Sequence, residues 1–199
     1  GPYPLGSTVN VSLIHNQNGL CTIALPAFTY DCLPTDFCGA YSATPNLPIT
    51  DNNTTTSTIN AATAPGEAIV DLDLVIKLTH TFLADLDITL ESPTGTIVSI
   101  MNDVCGGNDN MEIIYDDEAS AQVVCAVPAT VTTVGRFRTS GTLAQPLSSF
   151  DTQLFAGIWT LRVFDDLGGD TGTLLEWCLV PTLQVPDCPN PSAFSVSGT

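Results

Sequence analysis

Two segments near the end of the chain, each centred on a tryptophan, constrain the fold most. In Gly157–Val163 and in Leu175–Leu179, apolar residues alternate with polar ones, and Trp159 and Trp177 occupy apolar positions. Successive side chains of a β-strand point to opposite faces, so this alternation predicts two half-buried strands. Both tryptophans are then directed toward one core, which favours burial of the rings over stacking on sugars at the surface.

The loop between these strands is rich in acids and glycines and includes Asp165, Asp166 and Asp170. Glycine accepts positive φ angles, so such a loop can turn carbonyls and carboxylates toward a hard cation such as Ca²⁺. Asp and Gly are also the ordinary residues of turns. Taken alone, the loop favours a plain hairpin turn over a metal site.

Earlier segments show the same period of two. Residues 70–78 and 86–90 alternate, and a further strand is predicted over Thr96–Met101, after a reverse turn at Ser92–Gly95. Helical spacing is not sustained anywhere. Many short strands joined by Gly, Pro and Asp turns predict an all-β fold, an antiparallel β-sandwich.

The charge of the chain excludes two classes of partner. Its 199 residues carry a formal net charge of −17, because 21 acids face only Lys77, Arg136, Arg138 and Arg162. A nucleic-acid binder needs a basic surface, and an anionic membrane would repel this chain. Divalent cations and cationic partners remain. Arg136 and Arg138 flank Phe137, which favours a strand with solvent-facing arginines and a buried Phe over a contact surface.

Seven cysteines without a Cys-x-x-Cys pair argue against a zinc cluster or a thioredoxin-like site and favour disulfides in an oxidising compartment. Cys32 and Cys38 bound a small loop that a disulfide could close; the other pairings stay open, and the odd count leaves one thiol free or paired elsewhere. No signal peptide and no apolar run of about 18 residues occurs, which predicts a mature, soluble segment. The seven are Cys21, Cys32, Cys38, Cys105, Cys125, Cys178 and Cys188.

Composition divides the chain into four predicted segments. Residues 1–45 form a Cys-containing N-terminal extension with short strands, and residues 46–65, rich in Asn, Thr and Pro, form a linker or an edge segment. Residues 66–183 form the β-sandwich. Residues 184–199 are a linker and the truncated start of a following fibronectin type III-like module.

A second acidic cluster lies in residues 102–120. Closely packed carboxylates repel one another unless a cation neutralises them or water separates them. We predict a metal site here, with a solvated acidic loop as the alternative, and the order of residues is not that of an EF-hand. The acids are Asp103, Asp109, Asp116, Asp117 and Glu118.

Two motifs in this chain resemble a known family. They comprise His80–Thr81 with Asp85–Thr96, then Gly157–Val163 with Asp165, Gly169–Leu174 and Trp177–Leu179. Together they resemble the P domain, or Homo B domain, of the proprotein convertases, over roughly residues 66–182. One departure is Ala84, where the family usually has Gly before the Asp-Leu pair.

The resemblance implies a jelly-roll-like β-sandwich. In the family this module usually follows a subtilisin-like serine endopeptidase or, in bacteria, a metalloprotease, and helps to fold, stabilise or target its partner. Bacterial members often bind calcium in acidic loops. Here the resemblance implies a site within Asp103–Glu118, with Asp165, Asp166 and Asp170 as a second candidate.

The catalytic alternatives are weaker. His15 and His80 are the only histidines, and neither a Gly-x-Ser-x-Gly turn nor a His-Glu-x-x-His motif occurs. A hydrogen-bonded structural role is expected for His80. Asp85 and Asp87 could imitate a glycosidase pair, but such a pair needs an enclosing cleft, so we predict that Asp85 caps the turn before it.

We therefore predict a noncatalytic, calcium-stabilised accessory module of a secreted or cell-surface multidomain protein. It would stabilise or target neighbouring domains of its polypeptide or bind an extracellular protein or polysaccharide. One alternative is the C-terminal P domain of a secreted serine endopeptidase or metalloprotease whose catalytic domain is absent here. The other is a structural repeat of an adhesin or filament.

Overall fold

Ten β-strands make up the fold in the computed structural model, which describes residues 38–61 and 67–184. These residues contain two turns of 3-10 helix, Leu83–Asp85 and Leu147–Phe150, and no α-helix, so the prediction of an all-β fold is confirmed. The strands are β1 (Ser42–Ala43), β2 (Leu47–Ile49), β3 (Asn53–Ala61), β4 (Ile69–His80), β5 (Leu86–Glu91), β6 (Ile97–Met101), β7 (Met111–Tyr115), β8 (Thr133–Phe137), β9 (Gly157–Asp165) and β10 (Gly172–Leu183).

The strands form the two sheets of a sandwich. In the first sheet the order is β1, β10, β4, β7, β8, with β2 also paired to β10; in the second it is β3, β9, β5, β6. All pairs are antiparallel except β7 with β8, which run parallel. Residues 116–132 connect these two strands and are long enough for the crossover that parallel neighbours require.

The prediction of a hairpin between the two tryptophan strands is wrong. β9 lies between β3 and β5 in the second sheet, whereas β10 lies beside β4 in the first, so residues 166–171 cross from one sheet to the other. Alternation reports which side chains are buried and not which strand lies alongside. The same pattern therefore suits two strands that face each other across the core.

Both tryptophans are buried in the core between the sheets, as predicted. Trp159 and Trp177 are each 0% exposed. Trp159 Nε1 donates to the carbonyl oxygen of Phe155 at 3.0 Å, and Trp177 Nε1 donates to Ser57 Oγ of the opposite sheet at 2.9 Å. A buried indole N–H needs an acceptor, so these bonds make full burial of both rings possible.

The segment predicted as a linker or an edge contains an edge strand. β3 pairs with β9 along its whole length, and β1 and β2 add to the first sheet through β10. The sandwich therefore includes residues before position 66. All described residues belong to one compact unit, and the predictions for residues 1–37 and 185–199 lie outside the described residues.

Two disulfides lie within the described residues. Cys38 bonds to Cys178 of β10 with a Cα–Cα distance of 5.5 Å, and Cys105 bonds to Cys125 at 5.3 Å. The first pairing excludes the disulfide between Cys32 and Cys38 that the sequence left open, because sequence proximity does not decide which thiols meet in a sheet. The described part of the chain contains no helix with the length and apolarity needed to cross a membrane.

Candidate functional site

Six aspartates gather at the end of the sandwich where β4 ends, β5 begins and β9 passes toward β10. The strand register brings them together, because Leu86 of β5 pairs with Asp165 of β9 and the Asp166 N–H donates to the Asp85 carbonyl at 2.9 Å. We name this set the acidic rim; it consists of Asp85, Asp87, Asp103, Asp165, Asp166 and Asp170.

Asp85 is the most informative member of the acidic rim. It is 3% exposed, and its carboxylate accepts no hydrogen bond from the described residues. Burial raises the pKa of Asp85, the neighbouring Asp165 and Asp170 raise it further, and His80 opposes the shift. The prediction that Asp85 caps the preceding turn is wrong, since it is the last residue of that turn and no side chain caps the turn.

His80, at the end of β4, is held on both sides of its ring. It is 1% exposed, with Nδ1 2.9 Å from the Phe82 carbonyl oxygen and Nε2 3.2 Å from Asp165 Oδ2. Asp165 is itself 0% exposed and also accepts the Leu167 N–H at 3.3 Å. The predicted structural role of His80 is confirmed, because a ring with both nitrogens engaged inside the protein cannot act as a general base on a substrate.

The loop after β9 supplies two further carboxylates. Asp166 Oδ1 is buried and has no hydrogen-bond partner among the described residues, whereas Asp170 Oδ1 accepts the Thr81 hydroxyl at 2.6 Å. The loop returns to the first sheet at Gly172, where any Cβ would clash with the Thr79 carbonyl oxygen. Glycine at this position therefore permits the close approach that brings the loop against the end of β4.

Asp87 and Asp103 complete the acidic rim. Burial raises the pKa of Asp87, and the charges of Asp103 and Asp166 raise it further. Asp103 is exposed, has a φ of 53°, and accepts the Asn102 amide at 3.1 Å. Asp85 and Asp87 are not among the ligands predicted from the sequence. Their position could have indicated this role. Both lie where β5 begins, and the 165–172 loop reaches the same end of the sandwich.

The structure places the remaining predicted ligands differently. The Asp109 N–H donates to the Ala129 carbonyl at 2.8 Å. Asp117 accepts the N–H groups of Leu147 and Ser148 at 3.0 and 2.8 Å, which are the first residues of the second 3-10 turn. Asp117 is therefore engaged in holding that turn.

Asp116 and Glu118 belong to a second acidic region on the outer face of the first sheet. We name it the Arg136 group; it consists of Arg136, Asp71, Asp73, Asp116 and Glu118. Arg136 donates to Asp73 Oδ2 at 2.9 Å and to Asp116 Oδ2, and Asp116 Oδ1 accepts the Glu118 N–H at 2.7 Å. Asp116 is 2% exposed, so the guanidinium neutralises a carboxylate that water scarcely reaches.

The pKa values in the Arg136 group follow from burial and pairing. Burial raises the pKa of Asp73 to about 6, against the opposing charge of Arg136. Burial also acts to raise the pKa of Asp116, but hydrogen bonds with Glu118 and Arg136 outweigh it and hold that pKa below its usual range.

The acidic rim has the donor chemistry of a calcium site. Its oxygens are carboxylates, the ligands that Ca²⁺ prefers, and it contains a buried oxygen without a partner on Asp166. Within residues 38–61 and 67–184, no three His, Cys, Asp or Glu side chains are arranged closely enough to hold a metal ion as they stand. Binding would therefore require these side chains to turn toward the ion.

Comparisons with known proteins identify the fold family. A family model described as the proprotein convertase P-domain matches residues 69–181. A comparison with curated proteins found no match. The chain is similar to the crystal structure of a serine protease of Aeromonas sobria, with 22% identity and a TM-score of 0.46 over 72% of this chain and 26% of that one.

A second similar structure is the complex of the Aeromonas sobria serine protease and the chaperone. Here the identity is 19% and the TM-score 0.43, over 69% of this chain and 25% of that one. The chain thus spans about a quarter of the length of both solved proteins.

The family match begins with β4 and ends within β10, so β1, β2 and β3 lie outside it. It includes both motifs on which the resemblance rests and covers more than half of the 199 residues. This chain belongs to the proprotein convertase P-domain family.

Proposed function

We propose that this chain is the accessory part of an exported protease and that it stabilises the catalytic domain of the same polypeptide. The observation that carries the proposal is the family match over residues 69–181. The P domain is a noncatalytic accessory domain of proteases, so its contribution is to folding and positioning and not to bond cleavage.

The structure supports an accessory role. Its largest side chains fill a closed core between the sheets, and His80 is buried between Phe82 and Asp165. Two disulfides support secretion or display at the cell surface, because such bonds persist in oxidising compartments. Binding of an extracellular protein or polysaccharide is a further proposal for the same exported protein.

Calcium at the acidic rim is the finer part of the proposal. Asp85, Asp166 and Asp170 would hold the ion, with Asp87 and Asp103 beside it and Asp165 positioned by His80. A buried carboxylate without a donor is unfavourable unless a proton or a cation neutralises it. The ion would supply that charge and would join the loop after β9 to the start of β5.

The function is tested on the full-length parent protein. A version that lacks residues 38–184 is compared with the intact protein for secretion and peptidase activity. We expect the deletion to abolish both, because the catalytic domain loses its stabilising neighbour. The matched control is Arg162→Gln, which changes only a surface ion pair with Glu91 at 2.6 Å and should leave both unchanged.

Two results would contradict this function. The first is a reading frame that encodes no protease domain beside this chain. The second is a deletion variant that is secreted and active at the level of the intact protein.

A further inference from the structure

Arg138 differs from the other cations of this acidic chain. All four lysines and arginines lie within the described residues, and Arg138, which is exposed, forms no ion pair there. The other three are paired: Lys77 with Glu112, Arg136 with Asp73 and Asp116, and Arg162 with Glu91. Among 21 acids, Arg138 thus has no carboxylate partner within the described residues, and its surroundings are therefore of interest.

Arg138 lines an open cavity of about 400 Å³. The side chains of Gln122, Thr139 and Ser148 line the same cavity and form no hydrogen bonds with the described residues. Thr139 is 7% exposed and lines this cavity. Ala144 and Pro146 add apolar surface to the lining, and Asp117 adds a carboxylate. The cavity thus combines several unused hydrogen-bond donors with one unpaired positive charge.

The backbone that carries Arg138 is fixed on both sides. Its N–H donates to the Ala121 carbonyl at 2.8 Å, and its carbonyl accepts the Ser140 hydroxyl at 3.0 Å. Gln122 and Arg138 also form a parallel β-bridge. The backbone at this position is therefore fixed before any ligand arrives, so binding has to order only the side chain.

We propose that this cavity binds a carboxylate of a polypeptide partner. The guanidinium offers paired N–H donors in the fork geometry that matches a carboxylate, and Gln122, Thr139 and Ser148 supply further donors. The inference is independent of the protease proposal and of calcium at the acidic rim.

The negative charges around the cavity favour a carboxylate ligand over a more highly charged anion. Asp117 also lines the cavity, with its oxygens occupied by the N–H groups of Leu147 and Ser148. Asp151 interacts electrostatically with Asp117, and its pKa is raised by burial and by the charges of Asp71 and Asp117. These carboxylates and the net charge of −17 repel a phosphate dianion or a polyanion more strongly than a single carboxylate.

The test titrates the 199-residue chain with three short peptides by calorimetry. They are N-acetyl-trialanine with a free C-terminal carboxylate, its C-terminal amide, and the N-acetyl Ala-Glu-Ala amide. We expect the first or the third to bind and the uncharged amide not to bind. Tighter binding of the first peptide would show that the cavity binds the C-terminal carboxylate of a partner. Tighter binding of the third would show that it binds an acidic side chain.

Variants connect the binding to Arg138. Arg138→Gln should weaken it by about tenfold or more, because a charge-assisted hydrogen bond is lost. Arg138→Lys keeps the charge but loses the fork and should weaken it less. The matched control Arg162→Gln removes the same charge from the other sheet and should leave the affinity unchanged. Arg138 is exposed, so its variants are expected to fold, as urea unfolding will check.

Four results would overturn the proposal. They are no binding of either charged peptide, equal binding of the uncharged amide, unchanged affinity in Arg138→Gln, and displacement of the peptide by inorganic phosphate at lower concentration than by acetate. The last result would assign the cavity to phosphate chemistry.

Discussion

The acidic rim and the Arg136 group are both built mainly of aspartates, yet they balance their charges in opposite ways. In the Arg136 group, one guanidinium joins Asp73 to Asp116. In the acidic rim, no lysine or arginine forms an ion pair, and a buried oxygen of Asp166 has no partner within residues 38–61 and 67–184. Crowded carboxylates whose charge the protein itself balances therefore give no reason to propose a metal ion, whereas the unbalanced carboxylates of the acidic rim do.

Asp85→Asn in the acidic rim should have the largest effect on stability. Its effect on the free energy of unfolding should have opposite signs with and without calcium. In the metal-free protein, the change removes a negative charge that lies beside Asp165 and Asp170 and accepts no hydrogen bond from the described residues, so the free energy of unfolding should rise. At a calcium concentration about 100 times the dissociation constant, the wild type should gain about 3 kcal/mol and the variant much less. Thermal unfolding of chelator-treated protein, with and without Ca²⁺, measures both effects.

Asp71→Asn is the matched control for calcium, since it removes one carboxylate from the Arg136 group. It should gain as much from calcium as the wild type does. An equal gain in stability from calcium for Asp85→Asn would show that the acidic rim is not the calcium site.

Arg136→Leu should convert the Arg136 group into a second region of unbalanced carboxylates. Asp116 is 2% exposed and would lose its cation, so the free energy of unfolding should fall by about 2 to 3 kcal/mol. Urea unfolding at neutral pH measures the loss. A loss no larger than that of a surface pair would show that the guanidinium does not balance this group.

Asp73→Asn tests the Arg136 group through the pH dependence of the free energy of unfolding. The pKa of Asp73 is raised to about 6 in the folded protein, from about 3.9 in an unfolded chain, so folding favours the protonated form. Its contribution to stability is present below the unfolded value and is lost as the pH rises through about 6. The variant does not titrate, so its stability should fall less from about pH 4 to about pH 7, by about 1 to 2 kcal/mol.

Urea unfolding at the two pH values tests the Asp73 prediction. An identical pH dependence in variant and wild type would contradict the burial of Asp73 as the cause of its raised pKa.

Arg162→Ala should have the smallest effect. Its ion pair with Glu91 lies on the outer face of the second sheet, with the two side chains 37% and 29% exposed. Exposed pairs contribute about 0 to 1 kcal/mol, so the free energy of unfolding should change by no more than that. A larger loss of stability in the same urea experiment would show that this surface pair stabilises the fold as much as the ion pairs of the Arg136 group do.

Much of the fold could be predicted because period-two alternation directly reports which face of a strand is buried. It located β4, β5 and β9 and the burial of Trp159 and Trp177. It could not show that β9 and β10 lie in different sheets, since alternation carries no information about the neighbouring strand. Cys38 likewise bonds to Cys178, a partner distant in sequence.

The candidate site was predicted less completely. The sequence grouped Asp116 and Asp117 with Asp103 because they are close along the chain, whereas the fold directs Asp116 to Arg136 and Asp117 to the turn at Leu147. Asp85 was interpreted as a turn cap because its burial and its lack of a donor are properties of packed neighbours, which no local pattern encodes.

By itself, the sequence determined the all-β class, the tryptophan core, the strong negative charge and the P-domain family, because each depends on composition, on local period or on short motifs. Only the tertiary structure decided which carboxylates share a neighbourhood and which of them have a cation. The physical reason is that electrostatic interactions depend on distance in space and on burial, and the pairing of distant strands sets both.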